Sequence, residues 1–126
     1  MAKSKMLTLS DLIAKKIGKE KEQKKAVFVE SLGGELVIEA LPEDVMFKAL
    51  DMVESGTNFS ETMAAYDYMI YNAISMLRNP ELHAAYEVVN PTDIVGKLLQ
   101  FNERLELGEE VFKVCGLDKI GEKVKN

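Results

Sequence analysis

The sequence predicts an α+β fold: a mainly helical single domain of about five helices with one antiparallel β-hairpin at residues 26–41. Three observations lead there. Two strand-like runs, AVFVESL (26–32) and ELVIEAL (35–41), are separated by Gly33-Gly34, and glycine tolerates the positive φ of a tight turn. From Pro42 onward, apolar residues recur at three- and four-residue spacing, the period of a helix face. The chain has 126 residues, 47% hydrophobic and 29% charged, which suffices for one core and not comfortably for two.

Each element has its own signature. Leu9, Leu12, Ile13 and Ile17 fall at helical spacing, and Thr8 with Asp11 three residues later forms a capping pair, so a short helix is expected over about 9–18, closed by Gly18. KEKEQKK (19–25) has nothing to bury and reads as a solvated connector. In the hairpin, a two-residue Gly33-Gly34 loop sets Leu32 opposite Glu35, Val29 opposite Ile38 and Val27 opposite Ala40. Val27, Val29, Ser31, Leu36, Ile38 and Ala40 then share the core face; Phe28, Glu30, Leu32, Glu35, Val37 and Glu39 share the wetter one. A lone hairpin is marginal in water, so helices or another chain must cover it.

Pro42 suits the first position of the next helix, with Glu43 and Asp44 at the positive end of its dipole and Gly56 as its stop. Ser60 can cap a longer helix, about 61–78, buried through Met63, Tyr66, Met69, Ile70, Ala73, Ile74 and Leu77. Asn79-Pro80 and Asn90-Pro91 each offer a capping side chain followed by a first-turn proline, predicting helices at about 80–86 and 91–100. A last helix, about 102–115, ends at Gly116 and is weakened in its middle by Gly108. This divides the chain into a 1–25 helix and connector, a 26–118 globular domain and a frayed 119–126 tail.

Charge is unevenly placed. Residues 1–25 hold eight lysines against Asp11, Glu20 and Glu22, a net of +5, while the remainder carries a net of −10. An acidic body repels a phosphate backbone, and the lysines are interrupted by acids with no aromatic among them, so nucleic acid is not the expected partner. No stretch approaches the roughly 20 apolar residues of a membrane span, and the opening residues lack the apolar core of a secretory signal. One cysteine and seven methionines suit a reducing compartment, the cytoplasm.

No catalytic or cofactor-binding residues are expected. His83 is the single histidine, too few ligands for a metal site even with Glu81 and Glu87 nearby. Cys115 reads as a packed thiol on the apolar side of the last helix. Gly33-Gly34 lacks the length and context of a phosphate loop. Candidate contacts for a protein partner are Leu9, Leu12, Ile13 and Ile17 on the first helix. Further along come Met63, Met69 and Met76, whose flexible thioethers adapt to apolar partners, and Tyr86 and Phe101.

The order of features resembles a known family. LSDLIAKK, a basic run, a strand pair, a leucine-proline junction and then YNAISMLRNPELHAAYEVVNPTDIVGKLL are similar to tail assembly chaperones of phages and defective prophage elements in Gram-positive bacteria. The family pattern "A-x-x-x-x-P-x-L-x-x-x-E-L-x-x-x-Y-G-V" corresponds to Ala73–Pro80, Leu82–Tyr86 and Val88, followed by Asp93–Leu99, Gly108-Glu109 and Gly116-Leu117-Asp118. The segment between Leu77 and Glu81 is shorter than the family's, and Glu87 stands where the family has glycine. The resemblance implies a non-enzymatic chaperone in the cytoplasm of a bacterial host. It would bind the tape-measure protein and assist the tail-tube protein to assemble, possess no cofactor, and be missing from the mature virion. A homo-oligomer is compatible with this. The alternative is a structural phage adaptor or head–tail connector component retained in the particle.

Overall fold

The structure, a computed structural model, describes residues 6–117, without the side chains of residues 16–22. The expected frayed tail, 119–126, therefore lies outside the described residues. Six α-helices and one antiparallel hairpin follow in the order α1 (Leu9–Glu22), β1 (Lys24–Val29), β2 (Gly34–Glu39), α2 (Glu43–Ser55), α3 (Phe59–Ala73), α4 (Pro80–Ala85), α5 (Ile94–Leu98) and α6 (Phe101–Val114). The α+β class, mainly helical with one hairpin, is as the sequence predicts.

α1 begins as expected. The Thr8 N–H donates to Asp11 Oδ2 at 3.0 Å, and the Asp11 N–H donates to Thr8 Oγ1 at 3.2 Å. It does not stop at Gly18 but continues to Glu22. The expected 19–25 connector is therefore divided, its first part helical and Lys24 and Lys25 in β1. A single interior glycine costs only about 1 kcal/mol, too little to end a helix whose following residues are good helix formers.

The hairpin departs from its expected register. Val29 pairs with Gly34, Phe28 with Glu35, Val27 with Leu36 and Lys25 with Ile38. The turn is a 3-10 segment, Glu30–Leu32, closed by Gly33 at φ 68°; only the first glycine uses positive φ. The slip is even, so every side chain keeps its face. Val29, Leu36 and Ile38 are buried, whereas Phe28 and Val37 are exposed.

α3 is the central element, packing against α2, α5, α6 and β2. Asn58, not Ser60, caps it: Asn58 Oδ1 accepts from the Glu61 N–H at 3.0 Å. It ends at Ala73 rather than near 78, because Ile74 adopts an extended conformation and residues 75–78 form a 3-10 turn. Arg78 stabilises that ending by donating through Nη1 to the carbonyls of Tyr71 and Asn72 at 3.1 and 2.7 Å, carbonyls a helix end leaves without partners. Met63, Tyr66, Met69, Ile70, Ala73, Ile74 and Leu77 are all buried, as their spacing predicts.

Of the two Asn-Pro pairs, one behaves as expected. Asn79 Oδ1 accepts from the Glu81 N–H at 2.8 Å and starts α4. Asn90 caps no backbone N–H; a 3-10 turn at Pro91–Asp93 precedes a shorter α5. α6 ends with Gly116 at φ 77° and the Leu117 N–H donating to the Phe112 carbonyl at 2.7 Å, a Schellman-type closure. Gly108 allows α6 to lie directly on α3, since a Cβ there would meet Tyr66 Cδ2 at 2.7 Å.

Candidate partner-binding surface

Three polar contacts fix α6 against the rest of the molecule. Arg104 grips Asp67 of α3 through two parallel bonds, one of them Nε to Oδ1 at 2.9 Å. Buried Glu103 accepts from three donors: the Gln100 N–H at 3.0 Å, the Ser31 N–H at 3.0 Å and the Ser31 hydroxyl at 2.6 Å. One carboxylate thus completes the cap of α6 and clasps the hairpin turn. The Ser31 hydroxyl first, then the two backbone N–H groups, hold its pKa below the ordinary carboxylate value against the opposing effect of burial. Lys25, on the core face of β1, bonds Glu110 of α6 and lowers its pKa likewise.

With the core fixed, the sequence-predicted contact residues separate. Leu9, Leu12 and Ile13 are exposed along α1, whose main contact is with β1; the side chain of Ile17 lies outside the described residues. Met76, in the 3-10 turn after α3, is exposed, as is Tyr86. Met63 and Met69 are buried and belong to the core, not to a contact surface. Their spacing with Tyr66 and Ile70 on α3 marks an inward face.

Phe101 is 53% exposed and meets Phe59, 57% exposed, with ring centroids 5.6 Å apart. This pair joins the first turns of α3 and α6. Sequence reasoning missed Phe59, whose i, i+4 relation to Met63 reads as core; the helix start carries it beyond the packed layer. Phe28 and Leu32 are exposed, as their place on the wetter hairpin face predicts, and Phe47 and Val89 are exposed apolar residues that it missed. The outward alternation of β1 signals Phe28; nothing local signals Phe47.

His83 and Cys115 both engage backbone groups. His83 Nε2 lies 2.7 Å from the Leu77 carbonyl and its ring stacks on Tyr71. Cys115 is half-buried, its Sγ accepting from the Leu41 N–H at 3.4 Å, and burial pushes its thiol pKa up. No group of three or more His, Cys, Asp or Glu side chains among the described residues is placed to hold a metal ion. No described helix is long and apolar enough to cross a membrane. Two open grooves flank α6. One, of about 180 Å³, runs along β1 between Val27, Val29 and Leu107, with Phe28, Glu30 and Glu106 among its walls. The other, about 500 Å³, lies by Leu41, Met46, Phe47 and Cys115. Set against protein-family models, curated proteins and solved structures, the chain matches none of them.

Proposed function

We propose that this chain is a tail assembly chaperone, a non-enzymatic cytoplasmic factor that binds the tape-measure protein, assists the tail-tube protein to assemble and leaves before the virion is complete. The observation that carries the reading is at Glu87, the point where the sequence departs from the family pattern. Glu87 has φ 54°, the one positive φ of a non-glycine residue among those described. Glycine enters that region at no steric cost, so the family's Tyr-Gly-Val would favour the same turn that Tyr86-Glu87-Val88 makes. The positive φ at Glu87 therefore supports the reading at the residue where the sequence departs from the pattern.

The exposed apolar residues supply contacts for a long helical client. Phe59 with Phe101, Met76 and Tyr86 offer aromatic and thioether surface on an acidic body. Without nucleotide chemistry such a protein acts by mass action, lowering the concentration of free client. Co-expression with the tape-measure protein of the same phage cluster converts that client from insoluble to soluble, with several chaperone copies on each. A client that stays insoluble, or is equally soluble alone, defeats the proposal. Finding this chain in purified particles by mass spectrometry assigns it instead to the adaptor class.

A further inference from the structure

The hairpin is a two-stranded sheet, so each strand keeps one edge without a neighbouring strand. The ladder itself tells which groups face those edges. The Ala40 N–H donates to the Gln23 carbonyl at 2.7 Å, a hydrogen-bonded pair in the same register as Lys24 with Glu39. Bonded and non-bonded pairs alternate along an antiparallel ladder. Lys25, Val27 and Val29 therefore bond to β2, while Lys24, Ala26 and Phe28 turn their N–H and C=O groups to the open edge of β1. No described residue bonds those groups of Ala26 and Phe28, and both residues are exposed, Phe28 by 62%. On β2 the residues facing the opposite edge are Glu35, Val37 and Glu39.

The two edges are not equivalent. Laid antiparallel against a second copy and centred on Val27, β1 is complementary to itself. Ala26 falls opposite Phe28 of that copy and Phe28 opposite its Ala26, small against large, and at both pairs N–H and C=O groups face each other. Lys24 falls opposite Glu30, just beyond the strand, so Lys24 stands between that carboxylate and its present partner Glu39, 3.4 Å away. Ala26 pairs with Val37 inside each hairpin, which brings the Phe28 ring into line with the second copy's Val37, itself 53% exposed. The same pairing of β2, centred on Val37, sets Glu35 opposite Glu39, and like charges directly opposed destabilise a sheet. β2 is the blunted edge and β1 the one left to pair.

We infer that two copies of this chain associate through the open edge of β1, antiparallel about a two-fold axis at Val27, and so double the sheet. Main-chain hydrogen bonds supply the affinity, as in other strand additions, and Phe28 gains apolar cover from Ala26 and Val37 of the second copy. Each copy offers the other the same surface, so the contact closes at a dimer. β1 is only six residues long, which makes the dimer weak and dependent on concentration. The inference does not depend on the chaperone reading.

Sedimentation of the full chain over a wide concentration range tests it, and the expected result is a mass that rises with concentration and levels at twice the monomer. Ala26→Pro removes an N–H that faces the open edge, where proline is tolerated in a strand. It weakens association at least about tenfold, a change of about 1.4 kcal/mol, and circular dichroism verifies that the variant is folded. A second variant fixes the register. At the axis the two Val27 residues form a non-bonded pair with Cα atoms about 4.5 Å apart, within the span of a disulfide. Val27→Cys therefore crosslinks into dimers under mild oxidation, while Val37→Cys, on the edge of β2, and the parent with Cys115 alone do not. This crosslink decides the matter by itself where Ala26→Pro does not fold. A chain that stays monomeric overturns the inference. So does association indifferent to a folded Ala26→Pro, or a Val27→Cys chain that crosslinks no faster than Val37→Cys.

Discussion

Gly108 and Glu103 are single residues whose roles the local sequence states wrongly or not at all. At Gly108, helix propensity favours alanine by about 1 kcal/mol, and read alone the glycine is a weakness. The Tyr66 ring 2.7 Å from the missing Cβ reverses the sign, because overpacking a fixed aromatic costs about 1–3 kcal/mol. Tyr66 cannot yield easily, being buried edge-on against Phe112 at 6.0 Å. Gly108→Ala is expected to lower stability by about 1 kcal/mol net, read from its urea midpoint. Glu103 is expected to contribute to the acid limb of stability. Its folded pKa is depressed below the ordinary 4.5, so its contribution is fully present above that value and is lost as pH falls through the folded pKa. Glu110 behaves in the same sense through Lys25. Urea midpoints compared at pH 6 and pH 3.5 should therefore fall on acidification, and Glu103→Gln should reduce that fall without abolishing it. An unchanged pH dependence in the variant would assign the acid limb to Glu110 and the remaining carboxylates.

At the scale of elements, the hairpin shows how far the sequence can be read. Alternation identified which side chains face inward, and Val29, Leu36 and Ile38 are buried accordingly. The turn was not legible, because what sets it is a carboxylate 72 residues away: Glu103 holds Ser31 and makes a four-residue loop out of what two glycines would close in two. The end of α3 was illegible for the same kind of reason, since Arg78 reaches back over the chain to take two carbonyls. Caps made by near neighbours were legible at Thr8 and Asn79, while Asn58 was hidden by the equally plausible Ser60. Of the candidate contact residues, Leu9, Leu12, Ile13, Met76, Tyr86 and Phe101 are exposed; Met63 and Met69 were not separable from core residues, since a thioether carries no mark of which way it faces. The face assignment has a direct test. Val29→Asp and Ile38→Asp should each abolish cooperative unfolding, because a buried unpaired charge costs several kcal/mol. Glu39→Lys, on the outer face beside Lys24, should leave a dispersed NMR spectrum. Well-dispersed spectra from the aspartate variants would place those two strands' faces the other way round.

On the proposed chaperone reading, the question for the whole molecule is how an acidic body would hold a client and still release it. The core is closed: Met63, Met69 and their neighbours are sequestered, and the bidentate Asp67–Arg104 pair ties α3 to α6. Binding that required opening this core would cost much of a total stability of only about 5–15 kcal/mol. Contacts made by residues already exposed carry no such cost, and each can be modest when several copies line one long client. Phe59 and Phe101 fit that requirement, because their rings meet each other while more than half of each residue remains open to solvent. Replacing both, Phe59→Ser with Phe101→Ser, should move the urea midpoint little, within about 0.5 kcal/mol per surface site, and yet remove the ability to keep the tape-measure protein soluble on co-expression. Met63→Ala should do the reverse per molecule folded: it costs about 2–5 kcal/mol of stability, but the fraction that remains folded binds the client as the parent does. A double phenylalanine variant that solubilises the client as well as the parent would move the contact away from the α3–α6 junction, to Met76 and Tyr86. A Met63→Ala protein that is folded but inactive would mean that the client enters the core, and that the closed structure is the resting form of a molecule that opens.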